Sequence, residues 1–354
     1  MSDKIFKTKW DSIEYIDVPG IKSKIYKVNN VLVNYDSKKD PVVVNGNVFI
    51  ISLSNWQYFH IVQECLGQYE FLKKYIKDLK LIFTVEREDD INKEVFLNDL
   101  SGLFKSLVNI YNPSMDEIVI ISDQKIIFEN VYYLYNFFIP CLRNVVPSNG
   151  PIHNTSHEDF SHQFDLSNCV IDKLKKYKNQ TPNKKIFISR SKSDQIYIKW
   201  KENYYRYKNN EMSKEEGDRF WEYVMRVGEE AFTQNFQNRI HSDNIKIDNF
   251  FIDMGYELVY NEDLTLEEQV YIYSSATHIA SIDGTGCYNA IFAHPDTKVF
   301  MITTNRDFYW FFDSLIKNVA TENVYIIPDR KQYGLGAVHI DEILSELEKN
   351  KNLL

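Results

Sequence analysis

Apolar positions along the chain follow two different periods, and the switch from one to the other predicts the order of elements. In the first 50 residues the runs are short and β-like, and "PVVVNGNVFIISLS" predicts a hairpin turning at Asn45-Gly46. From Trp56 to about Lys77 the period lengthens. Phe59, Val62, Leu66, Tyr69 and Leu72 recur at three- and four-residue steps, as one face of a helix requires. "LKLIFTV" then reads as a buried strand, the acidic run Glu86–Asp90 as a solvated loop, and "DEIVIIS" and "KIIFENVYYLY" as further strands. Between Pro147 and about Pro182, "PSNGPIHNTSHEDFSHQF" and "NQTPNKK" are dominated by turn formers, so this segment is expected to be loop-like and to hold a domain boundary.

Beyond it the rhythm is strand, helix, strand. Strands are predicted at Lys185–Ser189, Tyr256–Tyr260, Thr277–Ile282, Lys298–Ile302 and Val324–Ile327. Helical patterns lie near Ile247–Met254, Leu266–Tyr273, Tyr288–Ala293 and Phe308–Lys317. Such alternation implies a parallel sheet, whose ligands gather at the carboxyl ends of the strands. Residues 191–238 interrupt the rhythm as a long insertion, a lid or binding element or else a surface decoration. Within it, Ser213 and Glu216 form a capping-box pattern that opens a helix towards Ala231. The closing "DEILSELEKNKNLL" is amphipathic and is expected to pack across the domains. The predicted class is α/β, with an N-terminal domain over 1–165 and a C-terminal domain over 166–354.

At 354 residues the chain is longer than one core usually organises, which favours two domains. A formal net charge of −9 leaves no basic surplus to neutralise phosphates, and argues against general nucleic-acid binding. Cys65, Cys141, Cys169 and Cys287 are scattered without a C-x-x-C pattern, which suits a reducing compartment. "MSDKIFKTKWDSIEY" is polar and lacks the apolar core of a signal peptide, and no apolar run reaches membrane-spanning length. A cytoplasmic location is the expectation.

The candidate chemistry begins at "SIDGTGCYNAIFAHPD", where a predicted strand ends on Asp283 and passes through Gly284-Thr285-Gly286 into an apolar segment. Glycines there permit a tight turn, or they let backbone N–H groups at a helix N-terminus approach a phosphate. Two other stretches precede it in order: "NWQYFHIVQECLGQYEFLKKY", and "KKIFISRSKS" resumed at "NRIHSDNIKIDNFFIDMGYELVYNEDLTLEEQ". Together the three resemble glycosyltransferase family 61. That family's pattern runs from an Asn and a His with an acid four residues on, to a Ser-Arg strand end, a second Arg opening a helix, and a Gly-aromatic-Glu strand. It closes with Leu-Ser/Thr and a Gln, then His-Gly-Ala and a downstream Asn. The resemblance spans roughly residues 50–302. It implies GT-B architecture, two Rossmann-like domains facing each other across a cleft. The implied activity is inverting transfer from a nucleotide donor, a UDP-sugar first, to a hydroxyl of a glycan acceptor in polysaccharide biosynthesis. The chain departs from the pattern at Asp283, where the family usually has His, and in the insertion that separates Arg190 from Arg239.

His60 and Glu64 lie four apart on the predicted first helix and share a face. Alone they read as a surface pair; the resemblance makes them the proton-accepting pair, with Glu64 the first choice of base and His60 positioning or relaying. Asn55 reads as a helix cap or as an acceptor contact. Arg190 and Arg239 are ordinary surface arginines by default. The resemblance assigns them to the donor diphosphate, whose oxygens a guanidinium binds bidentately. Gly284, Thr285 and Gly286 would add N–H groups and a hydroxyl to the same anion. Asn289 would bind the donor or tie neighbouring loops, and Gln269 reads as a brace. Asp283 repels a diphosphate, and either meets a sugar or ribose hydroxyl or holds Arg190.

His153, His157 and His162 have spacing that zinc accepts but sit in a polar linker without a fourth ligand. No Asp-x-Asp occurs, so the usual carboxylate pair for a metal–diphosphate complex is missing and neither metal nor cofactor is expected. "YGLGA" reads as a turn, and the sequon at Asn154 has no meaning in a cytosolic setting. One alternative remains from outside the enzymes: a non-catalytic carbohydrate- or nucleotide-sugar-binding protein of the same fold, favoured by Asp283. Among enzymes, an epimerase would leave the Asn55–Glu64 motif unexplained.

Overall fold

The computed structural model describes residues 8–9, 11–17, 24–33, 37–52, 66–86, 102–121, 125–134, 161–227, 233, 244–282, 285–303, 306–328 and 340–354. The chain divides into two compact units, Ile5–Tyr177 with Thr265–Glu268, and Lys178–Leu264 with Gln269–Leu354. Each carries its own sheet, so the protein is mixed α/β.

The first unit holds strands β1 (Thr8–Lys9), β2 (Ser12–Asp17), β3 (Lys24–Val33), β4 (Val42–Ser52), β5 (Lys80–Glu86), β6 (Ile118–Ile121) and β7 (Ile126–Leu134). They run in the order β1-β3-β7-β4-β5-β6, with β2 beside β3. Pairs involving β3 are antiparallel, whereas β7-β4, β4-β5 and β5-β6 are parallel. Val48, Phe49, Ile50 and Ile51 in β4 are all buried, the unbroken apolar run of a strand covered on both faces.

Here the structure corrects the hairpin expectation. Val42–Ser52 is one strand, and Asn45-Gly46 forms a bulge at which the register along β7 slips between Val44 and Asn47. Gly46 has φ +92°, and its N–H donates to Glu129 Oε2 at 2.6 Å. Hairpin turns and bulges both ask for positive φ at glycine. The difference is β7, remote in sequence, which pairs with the chain on both sides of the bulge.

Helices of this unit are α1 (Gly67–Leu72), α2 (Gly102–Tyr111) and α3 (Ser161–Leu174). The expected helix over Trp56–Lys77 survives in its described part as α1, with Leu66, Tyr69 and Leu72 buried; residues 53–65 lie outside the described residues. α3 is a second correction, because it occupies sequence expected to be loop-like. Leu166, Cys169, Val170 and Leu174 make a buried stripe at helical spacing, which the polar residues around them masked in the sequence. α1 and α3 approach closely: a Cβ added at Gly67 would stand 2.9 Å from Leu166 Cβ.

The second unit holds β8 (Lys184–Ile188), β9 (Glu257–Val259), β10 (Ala276–Ile282), β11 (Lys298–Thr303) and β12 (Val324–Pro328), close to the five predicted strands. Every pairing is parallel, in the order β9-β8-β10-β11-β12. Numbered by appearance this is 2-1-3-4-5, the doubly wound order with its topological switch between β8 and β10. Its helices are α4 (Ser191–Lys208), α5 (Lys214–Val227), α6 (Asn244–Asp253), α7 (Leu266–Ser274, from Gln269 on), α8 (Arg306–Val319) and α9 (Ile340–Lys349). Phe187, Phe251, Ala280, Ile282, Phe300 and Ile302 form the core, with Phe187 and Phe251 stacked at 4.1 Å. Ile343 and Leu347 of α9 belong to this same core, so the C-terminal helix packs on its own unit's sheet.

The described part of the insertion, residues 191–227, is a pair of helices. Tyr207 of α4 stacks on Trp221 of α5 at 4.8 Å and 7°, and Arg206 reaches Glu216 at 3.3 Å. Ser213 Oγ accepts the Glu216 N–H at 3.3 Å, as the capping pattern predicts, and α5 runs to Val227. Among the described residues no helix is long and apolar enough to cross a membrane.

Candidate functional site at the sheet's switch point

Strands β8 and β10 lie side by side, with Ile188 paired to Ser281, so their carboxyl ends open on the same edge of the sheet. In a doubly wound sheet the crevice at the switch is where ligands bind, because the connecting helices there depart to opposite faces. The segments leaving the two strands decide the chemistry.

After β8 the chain passes through Ser189 and Arg190 directly into α4, whose N-cap is Arg190. That helix is 18 residues long, so the positive end of its dipole and its first-turn N–H groups sit at this edge. Arg190 is partly exposed and adds a permanent cation. Lys192, in the first turn, lies 4.4 Å over the Tyr260 ring and pairs with Asp263, whose carboxylate holds the ammonium above its ordinary 10.5. The Ser191 N–H donates to Ser189 Oγ at 3.1 Å, and Ser189 Oγ donates to Asp248 Oδ2 of α6 at 2.9 Å.

After β10 the chain enters a 3-10 helix, Thr285–Phe292, where α-helical pattern was expected. Gly286 is not in the left-handed region. Its bareness serves close packing: a Cβ would lie 3.1 Å from Asn261 Nδ2 and 3.3 Å from Ile188 Cγ2. A side chain at 286 would therefore press on the end of β8.

A buried hydrogen-bond network supports this turn from behind. Asn261 Nδ2 donates to the Tyr273 hydroxyl at 2.9 Å, and that hydroxyl donates to the Gly286 carbonyl at 2.9 Å. Burial pushes the Tyr273 phenol well above its ordinary range, so it stays a donor. Asn289 is wholly buried and gives its amide to Gln269 Oε1 at 2.6 Å. Gln269 Nε2 in turn donates to the carbonyls of Asn261 and Leu264 at 3.0 and 3.1 Å. Gln269 and Asn289 together thus link the Thr285–Phe292 turn to the Asn261–Leu264 segment.

Of the residues singled out from sequence, the fold brings Arg190, Gly286 and the backbone of Thr285 to the switch point, with Asn289 behind them. Asn55, His60, Glu64, Arg239, Asp283 and Gly284 lie outside the described residues, as do His153 and His157. Among the described residues no three His, Cys, Asp or Glu side chains cluster as metal ligands. Sequence reasoning assigned no role to Ser191, Lys192, Tyr260 and Asp248, nor to Ser189 beyond its place in the Ser-Arg strand end. Ser189, Ser191 and Lys192 flank Arg190 and were in view. Asp248 had one available signal, an acid placed among the apolar residues of "NIKIDNFFI".

The family model of glycosyltransferase 61 matches residues 227–300. That segment contains β9, α6, α7 and β10 together with the Thr285–Phe292 turn, and so includes one of the two strands at the switch point. No curated protein matches the chain.

Proposed function

We propose, on the match of the glycosyltransferase 61 model over residues 227–300, that this chain belongs to that family and is an inverting glycosyltransferase using a nucleotide sugar, first a UDP-sugar, and a glycan hydroxyl as acceptor. One observation carries the donor side of this reading: the switch point of a parallel sheet at which Arg190, the N-terminus of α4 and the glycine-bearing turn after β10 meet. In sugar transfer the leaving group is a nucleoside diphosphate. A guanidinium and helix N–H groups fixed beforehand stabilise the negative charge that develops on it, without reorganisation during the step. Arg239, Asp283 and Gly284 are proposed to complete this side. Two α/β units, each with its own sheet, suit the GT-B architecture that the resemblance implies.

Inversion by single displacement needs one proton acceptor at the acceptor hydroxyl. Glu64 is proposed for it, with His60 positioning the hydroxyl and Asn55 contacting the acceptor. The direct test is a panel of nucleotide sugars. The UDP-sugar that is the donor should raise the melting temperature of the full chain, since a ligand bound only by the folded state stabilises it, and should be turned over with an inverted anomeric centre. Stabilisation without transfer or hydrolysis across a broad acceptor panel would favour a binding protein; no stabilisation by any nucleotide sugar would remove the donor reading.

A further inference from the structure

Asp248 is 3 % exposed; its Oδ2 accepts from Ser189 Oγ at 2.9 Å, while Oδ1 is buried and has no hydrogen-bond partner among the described residues. Desolvating a carboxylate oxygen without a partner is costly, so a buried acid at this place calls for an explanation. It lies under the turn that carries Arg190. Counting protons shows what it does there.

A carboxylate only accepts, so the single hydrogen of Ser189 is committed to Asp248. Ser189 Oγ then has two lone pairs. One accepts the Ser191 N–H at 3.1 Å; the other faces Ser191 Oγ at 3.0 Å. Since Ser189 has no second hydrogen, Ser191 must be the donor in that contact. Its one hydrogen is thereby used at 3.0 Å, in place of the longer donation to the Tyr260 hydroxyl at 3.5 Å. Ser191 is partly exposed, unlike Ser189. A hydroxyl at a helix N-terminus would ordinarily be read as one more phosphate donor. Here the buried acid reverses its sense, and it offers lone pairs to the site.

We propose that Asp248 is a positioning residue which, through Ser189, makes Ser191 a hydrogen-bond acceptor for a hydroxyl of the nucleotide sugar bound beside Arg190. This rests on the donor reading above and adds to it a contact that recognises a hydroxyl rather than an anion. The hydroxyl belongs either to the ribose or to the transferred sugar.

Calorimetry on the full chain distinguishes these, with uridine diphosphate and with the nucleotide sugar that most raises the wild-type melting temperature. Ser191→Ala removes the acceptor, and Asp248→Asn replaces the carboxylate with a group able to donate to Ser189 and reverse the proton order. Each should weaken binding about tenfold, the loss of one hydrogen bond, whereas Ser191→Thr, which keeps the hydroxyl, should bind as wild type. Weakening with both ligands assigns the contact to the ribose; weakening with the nucleotide sugar alone assigns it to the transferred sugar. Should Asp248→Asn fold poorly, Ser191→Ala and Ser191→Thr still decide the matter. Ser191→Ala and Asp248→Asn binding both ligands as tightly as wild type, with at most a lower melting temperature, would overturn the inference. If wild type binds neither ligand, the donor reading itself falls and takes this contact with it.

Discussion

His278 lies on β10 of the parallel sheet, stacked against Phe300 at 6.3 Å and 5°, with Tyr256 edge-on at 6.5 Å. Burial first, then the ammonium groups of Lys185 and Lys298, hold its imidazole below the ordinary 6.5. The unfolded chain therefore binds the proton at higher pH than the folded one. The stability that neutral His278 supplies is full above 6.5 and is lost as pH falls from there through the folded value. His278→Phe keeps a ring for the stack and removes the proton, so urea unfolding of this variant should show a shallower loss of stability below pH 6.5 than wild type. An unchanged slope would place the acid sensitivity in other groups. Single residues of this kind differ in how far the sequence reveals them. Arg190 stood out only through the Ser-Arg strand end of the resemblance, since by itself it reads as an ordinary surface arginine; it follows β8 and stands at the N-cap of α4. Asp248 was not legible, because its meaning depends on Ser189, 59 positions away, and on burial that only the packed helix creates. Gly286 was legible as a glycine that mattered, but its reason is Ile188 and Asn261 pressing from other elements.

At the scale of elements, the parallel strands were the easiest to read, since a strand covered on both faces must be apolar throughout and is bounded by polar turns. Asn45-Gly46 misled because local sequence specifies positive φ and not the identity of the partner strand. α3 was hidden because a helix needs only one apolar stripe, and its other faces are as polar as a loop. The inserted helices α4 and α5 lean on each other through a few aromatic contacts. Trp221 stacks on Tyr207 and lies beneath Lys208 Nζ at 4.8 Å, with Val224 fully buried nearby on α5. Removing that ring should cost about 1–3 kcal/mol locally. In hydrogen exchange of Trp221→Ala, amides of α4 and α5 should lose protection while those of β8, β10 and β11 keep theirs, because the sheet has its own core. Equal loss in the sheet would mean that the inserted pair is part of the central cooperative unit and no appendage.

Across the whole molecule, the proposed function divides the work. Arg190, Ser191 and Gly286, proposed for the donor, all belong to the unit built on the five-stranded parallel sheet. Asn55, His60 and Glu64, proposed for the acceptor and its proton, come from the N-terminal part of the sequence. Two variants should therefore fail in different ways. Arg190→Ala removes a charge-assisted contact of about 1.5–3 kcal/mol, so the melting shift produced by the nucleotide and the rate of transfer should fall together. Glu64→Gln keeps the shape of the side chain and removes its basicity. Its nucleotide-induced shift should match wild type, while transfer drops by roughly 10²–10⁴, the usual contribution of a general base. Measured side by side, the pair separates donor binding from proton transfer without needing the acceptor's identity for the first half of the test. An Arg190→Ala protein with undiminished nucleotide shift would remove that residue from the donor site. If Glu64→Gln and His60→Ala both transfer at the wild-type rate, the base is neither of them, and Asp283, the acid standing where the resemblance to glycosyltransferase family 61 leads one to expect His, is the next residue to change.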